Sequence, residues 1–287
     1  VSPPLIAVPN VSEGRDPLVL AAIGDAFTRA GARVLDVHSD PDHHRSVFTL
    51  AGTRGQLASA LVAGARVAVA NIDVSSHSGI HPHVGALDVA PIVHVTPDQR
   101  GAAAAEALVL GELLATQLQL PVFLYGALGG GRTRAQVRRG GPAELARRMA
   151  EGELVPDFGP PTLHPTAGAT LVAARPPLIA FNLELAPPAT LREAKRIAAA
   201  IREGGSEGLP GLRAIGLELA ARGGVAQVSM NIEDHLALPL ARVVEAVRAH
   251  APVAEAEVIG LPPEAAFAGF PDDLPVRNRR TLEAAVT

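Results

Sequence analysis

The strongest constraint on this chain is that one order of elements is written into it twice. Leu5 to Val8 is a short apolar run ending at Pro9-Asn10, and it reads as a buried strand. Asp16-Pro17 opens a helix, with Asp at the cap and Pro at the first helical position, and Gly31 closes it after about Ala30. Arg33 to Val37 is strand-like, His38 to Arg45 reads as a polar loop, and Ser46 to Leu50 alternates as a strand. Gln56 to Asn71 has helical periodicity, and a strand from Val89 to Val95 completes the unit. The second pass runs through Leu178 to Leu185, a helix from Thr190 to Arg202 and a flexible loop from Gly204 to Gly211. It continues with a strand pair, Leu212 to Leu219 and Val225 to Ile232, a helix from Leu238 to His250 and a strand from Glu255 to Ile259. Even the openings agree, LIAVPN against LIAFNL.

Each β-α-β-β-α-β unit is the split arrangement in which two helices back one antiparallel sheet. The expectation is an α+β protein of two ferredoxin-like subdomains side by side, with a substrate cleft or tunnel between them. Between the units, Thr96-Pro97 starts a helix reaching about Leu118, and Val122 to Tyr125 is a strand. Gly129 to Gly131 then breaks the chain before a helix rich in arginine. Glu151 to Pro165, rich in Pro and Gly, reads as a connector, which divides the chain into an N-terminal subdomain, 1–165, and a C-terminal subdomain, 166–287. Long irregular stretches such as Pro156 to Gly168 usually carry function or join domains.

Aromatic residues make up only 3% of the 287, so the core must be built from Ala, Val, Leu and Ile. A formal net charge of -4 argues against a nucleic-acid binder, which needs a basic face. Lys195 is the sole lysine, so the positive charge is arginine, whose planar fork suits carboxylates and phosphates. The absence of cysteine removes disulfides, thiolate nucleophiles and cysteine-based zinc sites, and fits a cytoplasmic protein. VSPPLIAVPNVSEGR has no basic n-region and no long apolar run, so no signal peptide is expected. No stretch is expected to cross a bilayer; the richest, Leu57 to Ile72, is interrupted by Arg66.

The chemistry gathers in a loop. SSHSGIHPHVGALDV, Ser75 to Val89, carries His81 and His83 in a segment broken by Gly and Pro, with Gly85 shaping it. Of the ten histidines, His38, His43, His44, His77, His81 and His83 fall close together in sequence. Such a cluster serves either a metal site or general acid–base catalysis by one histidine. The HxH spacing comes without an HExxH pattern or a clear carboxylate set, which favours a metal-free base, and His43 and His44 read equally well as solvated loop residues. NVSEGR, Asn10 to Arg15, precedes a helix start, where backbone amides with Ser12 and Arg15 could receive an anion; a plain capping turn fits equally well. GGGRTR, Gly129 to Arg134, offers the same kind of ligand a second glycine-rich, basic loop, or is only a loop.

Taken in order, VPNVSEGR at Val8, HPHVGALDV at His81, YGA at Tyr125, PDFGP at Pro156, LIAFNLEL at Leu178 and AQVSMNIED at Ala226 resemble the formiminotransferase domain family. The likeness runs from about Leu5 to Leu261, in the form that carries no cyclodeaminase segment. It implies two ferredoxin-like subdomains and transfer of a formimino group from N-formimino-L-glutamate to N5 of tetrahydrofolate, with folate as co-substrate and no metal. It implies His81 as the catalytic histidine and Gly159 to Gly168 as the folate segment, with Gly159, Pro160, Thr162, His164, Thr166 and Gly168 as contacts. Asn10, Ser12, Glu13, Arg15, Arg45, His83, Gly85, Arg132 and Arg134 are then expected around substrates that carry carboxylates. A homodimer is what the resemblance suggests.

Four positions depart from the family pattern, three of them to histidine. His83 stands where the family has arginine and Val84 where it has methionine, His38 where it has aspartate, and His44 where it has asparagine. These keep other donors in view, another amidine such as formiminoglycine or a formyl group. A His-cluster metalloenzyme and a non-catalytic folate-binding protein on the same scaffold are the remaining readings.

Overall fold

Asp16 does what its place before Pro17 predicts: its carboxylate accepts the Leu18 and Val19 N–H groups at 2.8 and 3.2 Å and opens the first helix. The computed structural model describes residues 4–286, and these form two units, one ending at Pro176 and the other beginning at Pro177. In the first unit the elements are β1 (Leu5–Ala7), β2 (Asn10–Val11), α1 (Pro17–Arg29), β3 (Arg33–Asp40), β4 (Arg45–Gly52) and α2 (Gln56–Asn71). They continue with β5 (Leu87–Val93), α3 (Arg100–Leu118), β6 (Val122–Leu124), α4 (Arg134–Arg138), α5 (Gly141–Ala150) and β7 (Thr170–Arg175).

β1 and β2 are one strand interrupted at Val8-Pro9, and both segments pair antiparallel with β4 on one side and β5 on the other. β3 closes one edge against β4, while β7 and then β6 extend the sheet beyond β5 in parallel. The spatial order of the split unit is therefore β3-β4-β1/β2-β5. The core under this sheet is aliphatic, as composition demands, with Phe27 and Phe48 meeting edge to face at 5.3 Å.

The second unit repeats the plan with β8 (Ile179–Leu185), α6 (Leu191–Ile201), β9 (Leu212–Leu219), β10 (Val225–Ile232), α7 (Leu240–Arg248) and β11 (Val253–Ile259). Then come β12 (Val276–Arg277) and α8 (Leu282–Val286). Its sheet order, β9-β10-β8-β11, matches the first unit strand for strand, and β12 pairs parallel with β11. Helix α6 starts with a capping box, the Thr190 hydroxyl against the Glu193 N–H and the Glu193 carboxylate on the Thr190 N–H.

Four expectations change. The division falls at Pro176 and not at 165, because Thr170–Arg175 forms a strand between β5 and β6. Glu151 to Pro165 is accordingly no connector between units: Phe158 pairs with Val122, and the Asp157 carboxylate accepts the Leu124 N–H at 2.7 Å. The arginine-rich helix is two helices, since Gly140, between α4 and α5, and Gly141, which opens α5, both take positive φ. Finally, the helical stretch Pro97–Leu118 is long and apolar enough, by length and composition, to cross a bilayer, contrary to the sequence expectation. Its Ala103, Ala107, Leu110, Gly111 and Leu114 are buried, and it packs on α2, β5 and β7.

Candidate active site

The histidine loop, between α2 and β5, is held from two sides by backbone. Ser12, following β2, donates its N–H to Ala86 O at 2.9 Å and its hydroxyl to Gly85 O at 2.8 Å. On the other side the chain at Thr166–Ala169 lies along it. Val74 N–H donates to Thr166 O at 2.8 Å, Ala86 N–H to Ala167 O at 2.9 Å and Ala169 N–H to Val84 O at 2.9 Å. Gly85 and Gly168 face each other in an antiparallel bridge, where a Cβ on Gly85 would strike Ala169 O and one on Gly168 would strike Val84 O. Only glycine allows so close an approach.

Beneath the loop sits a buried ion cluster. Asp88, at the start of β5, is fully buried; one carboxylate oxygen accepts from Arg45 Nη1 at 2.6 Å and also from Arg138 Nη2 of α4. The other oxygen accepts the Val84 N–H at 2.8 Å, so the aspartate also shapes the loop that carries His81. Burial works against the Asp88 carboxylate, but the Arg138 and Arg45 guanidiniums outweigh it and hold its pKa far below the usual range. Burial likewise pushes Arg45 down, to about 10, against the pull of Asp88, so it stays charged at neutral pH. Arg45 Nε donates to Asn10 Oδ1 at 3.0 Å, and Asn10 Nδ2 donates to Val8 O at 2.9 Å, which fixes the guanidinium. Two cations on one carboxylate leave an excess positive charge.

His81 meets that charge. Burial first, then the Arg45 and Arg138 guanidiniums, hold its imidazole well below the ordinary 6.5. It is neutral at physiological pH, and its Nδ1 is buried without a hydrogen-bond partner. A neutral imidazole beside two guanidiniums suits a base that must take a proton and release it readily.

The other rings stand close by. His44 stacks on His77 with centroids 4.6 Å apart, His77 meets His83 at 4.1 Å, and His43 lies 6.1 Å from His81. The His77 ring is held between backbone groups, its Nδ1 3.2 Å from the Gly79 N–H and its Nε2 2.9 Å from His44 O. Burial depresses the pKa of His38, His44 and His83, and for His83 the neighbouring His77 adds to it. His43 is no solvated loop residue: it is 7% exposed, in the tight turn joining β3 to β4. Among the described residues no three His, Asp or Glu side chains are grouped to hold a metal ion.

The structure thus gathers Asn10, Ser12, Arg45, His81, His83, Gly85, Thr166 and Gly168. His164 turns the chain into that group, its Nδ1 accepting the Ala167 N–H at 3.0 Å while its backbone pairs with Gly168. Glu13 caps its own turn, accepting the Arg15 and Asp16 N–H groups at 2.7 and 2.9 Å. Arg15 is spent on structure, donating to Pro41 O at 2.9 Å and Ser78 Oγ at 3.2 Å. Arg132 pairs with Asp157 at 2.6 Å, tying the glycine-rich loop to the chain beside β6. Gly159 packs there too, at positive φ against Leu120 O. Pro160 and exposed Thr162 follow it, before the chain reaches His164. Arg134 lies 5.8 Å over the Tyr125 ring.

Sequence reasoning passed over Asp88, Arg138 and Asp40, and set His43 aside as a solvated loop residue. Asp88 stood inside the GALDV motif as an acid within an apolar strand, the one signal that could have marked it. Nothing local distinguishes Arg138 from its neighbours in RTRAQVRR.

With this geometry in place, the likeness to known proteins acquires a structural frame. Residues 5–175 match the formiminotransferase domain, N-terminal subdomain, and residues 180–269 match the formiminotransferase domain, so the two matches follow the two units. The chain is 35% identical over 269 residues to the glutamate formimidoyltransferase of Streptococcus pyogenes serotype M1, covering 91% of this chain and 89% of that protein. It is 34% identical over 272 residues to the glutamate formimidoyltransferase of Thermoplasma acidophilum, covering 91% and 88%. Against the formimidoyltransferase-cyclodeaminase of Gallus gallus it is 38% identical over 274 residues, 91% of this chain. The chain spans about half the length of that bifunctional relative, 50%. Both units and nearly the whole described chain take part in these matches, and the chain belongs to the formiminotransferase domain family.

Proposed function

We propose that this chain moves the formimino group from N-formimino-L-glutamate to N5 of tetrahydrofolate, giving 5-formimidoyltetrahydrofolate and L-glutamate. The observation that carries the reading is the likeness, over 91% of the chain, to a relative named glutamate formimidoyltransferase that it matches nearly end to end. The reaction needs two proton movements. The folate amine attacks the amidine carbon, a new N–C bond forms and the amine must lose its proton; when the old C–N bond breaks, the glutamate nitrogen must gain one. His81 takes the first proton and returns one to the leaving nitrogen. Its depressed pKa and its unpartnered Nδ1 support that role. The excess positive charge of the Arg45–Asp88–Arg138 cluster draws the anionic substrates toward the loop. Thr166–Gly168, the end of the proposed folate segment, is hydrogen-bonded along the histidine loop, which supports a folate site beside it. The substrates are small molecules, and a cysteine-free chain fits a cytoplasmic setting.

His83 at a position the family pattern gives to arginine favours one second reading, a different formimino or formyl donor. Assaying N-formimino-L-glutamate, N-formiminoglycine and a formyl donor side by side with tetrahydrofolate separates the two. Fastest turnover with formiminoglutamate is expected. Folate binding without turnover of any donor would leave a folate-binding protein, and stoichiometric metal in the purified protein would count against the transferase.

A further inference from the structure

The tight turn between β3 and β4 builds a second acid–base pair beside His81. Asp40 binds His43 twice: one carboxylate oxygen accepts the His43 backbone N–H at 2.8 Å, and the other lies 2.9 Å from His43 Nδ1. An imidazole held this way keeps its hydrogen on Nδ1 and presents Nε2, which no described residue engages. The turn is also latched to the histidine loop, since Ile80 N–H donates to Asp42 O at 3.2 Å, immediately before His81. That latch sets the 6.1 Å ring separation between His43 and His81, too wide for a direct hydrogen bond and suited to one bridging water or amine. His81 itself is a poor place to keep a proton, because Arg45 and Arg138 both oppose its charged form. Asp40, 2.9 Å from His43 Nδ1, gives a positive charge on that ring a direct counter-ion.

We propose that His43, oriented by Asp40, is the proton reservoir through which His81 works in the group transfer. This deepens the functional reading above and rests on it. The step balances. The attacking amine gives its proton to His81 as the new N–C bond forms, and His81 passes a proton across the bridge to His43 Nε2, where Asp40 stabilises the imidazolium. The proton returns by the same route to the departing nitrogen as the old C–N bond breaks. His43 is a positioning residue in this scheme, acting through His81. The titratable groups around it are Asp40 and His38 from β3 and His81 from the loop.

The test pairs turnover with a direct view of the rings. His43→Asn keeps a donor for Asp40 and removes the second nitrogen, and His43→Ala opens a hole that free imidazole can fill. Expected are a fall in kcat of about tenfold or more for His43→Asn with little change in KM, and rescue of His43→Ala by added imidazole. Asp40→Asn should lower kcat in the same way. By NMR, the His81 titration should move upward in His43→Asn, because a neighbouring positive charge is gone. A His81 titration that stays in place overturns the pair whatever the rates do. A loss carried by KM, without imidazole rescue, makes His43 a packing residue and overturns it too. If the wild-type protein transfers no formimino group, the functional reading fails, and the ring titration still decides the pair.

Discussion

Arg45 donates to Asp88 at 2.6 Å, in a place where the aspartate is fully buried and the arginine nearly so. The pair joins β4 to β5 across the interrupted strand, and Arg138 adds a second cation to the same oxygen. Removing the shared anion would leave two buried guanidiniums without a counter-charge. Asp88→Asn should therefore cost about 3–5 kcal/mol of stability, the range for breaking a buried pair. A denaturant midpoint within error of wild type would show that water already shields the cluster.

His81 faces the charge of both Arg45 and Arg138. His81→Ala should abolish formimino transfer while its unfolding midpoint and tetrahydrofolate binding stay near wild type. Steady-state assay and titration calorimetry on one preparation measure both; unchanged turnover sinks the proposed role.

Acid should weaken the fold before it protonates the carboxylates. His38, His44, His81, His83 and His94 all have folded pKa values below the ordinary 6.5, so the unfolded chain takes up protons first as pH falls. Their contribution is complete above about 6.5 and declines below it. Asp40 and Asp88, depressed instead from 3.8, hold theirs until much lower pH. Urea midpoints measured from pH 8 to pH 5 should fall steadily below 6.5; a flat profile contradicts the assignment.

Glu106 caps a helix that is not its own. It reaches from α3 to accept the Gly55 and Ala58 N–H groups at 2.6 and 2.7 Å, at the start of α2, where no side chain of α2 does so. Glu106→Ala should cost about 1–2 kcal/mol, with Glu106→Gln recovering part of it. Thermal melts of both variants check the order.

Gly85→Ala and Gly168→Ala each press a methyl into backbone across the bridge. Each should lose about 1–3 kcal/mol and most of its activity, because the clash displaces the loop that carries His81. The Gly168 variant should suffer more, since it also forces a left-handed φ on alanine. Activity retained at wild-type level would mean the loop tolerates the shift.

The doubled β-α-β-β-α-β order was legible because it rests on local chemistry. Asp16-Pro17 and Thr190 with Glu193 are decided within a few residues of chain. His81, Gly85 and Gly168 are marked through the motifs that carry the family resemblance, and the fold brings Gly85 against Gly168. The strand Thr170–Arg175 escaped notice, and with it the true division of the units. It follows a proline- and glycine-rich stretch and is a strand only because β5 and β6 flank it. The His38–Arg45 stretch looked like a polar loop because its first residues are hydrophilic, yet pairing with β4 keeps β3 extended to Asp40. The ion cluster was out of reach of sequence for a stronger reason. Asp88, Arg45 and Arg138 are separated by 43 and 50 residues, and only the folded sheet brings their charges into one dry place where each needs the others. The same holds for His43 and His81, whose proximity is set by a turn of one hairpin latched to a loop of another strand. Local pattern determined most of the elements and marked the loop that carries His81; tertiary packing decided the charge around it.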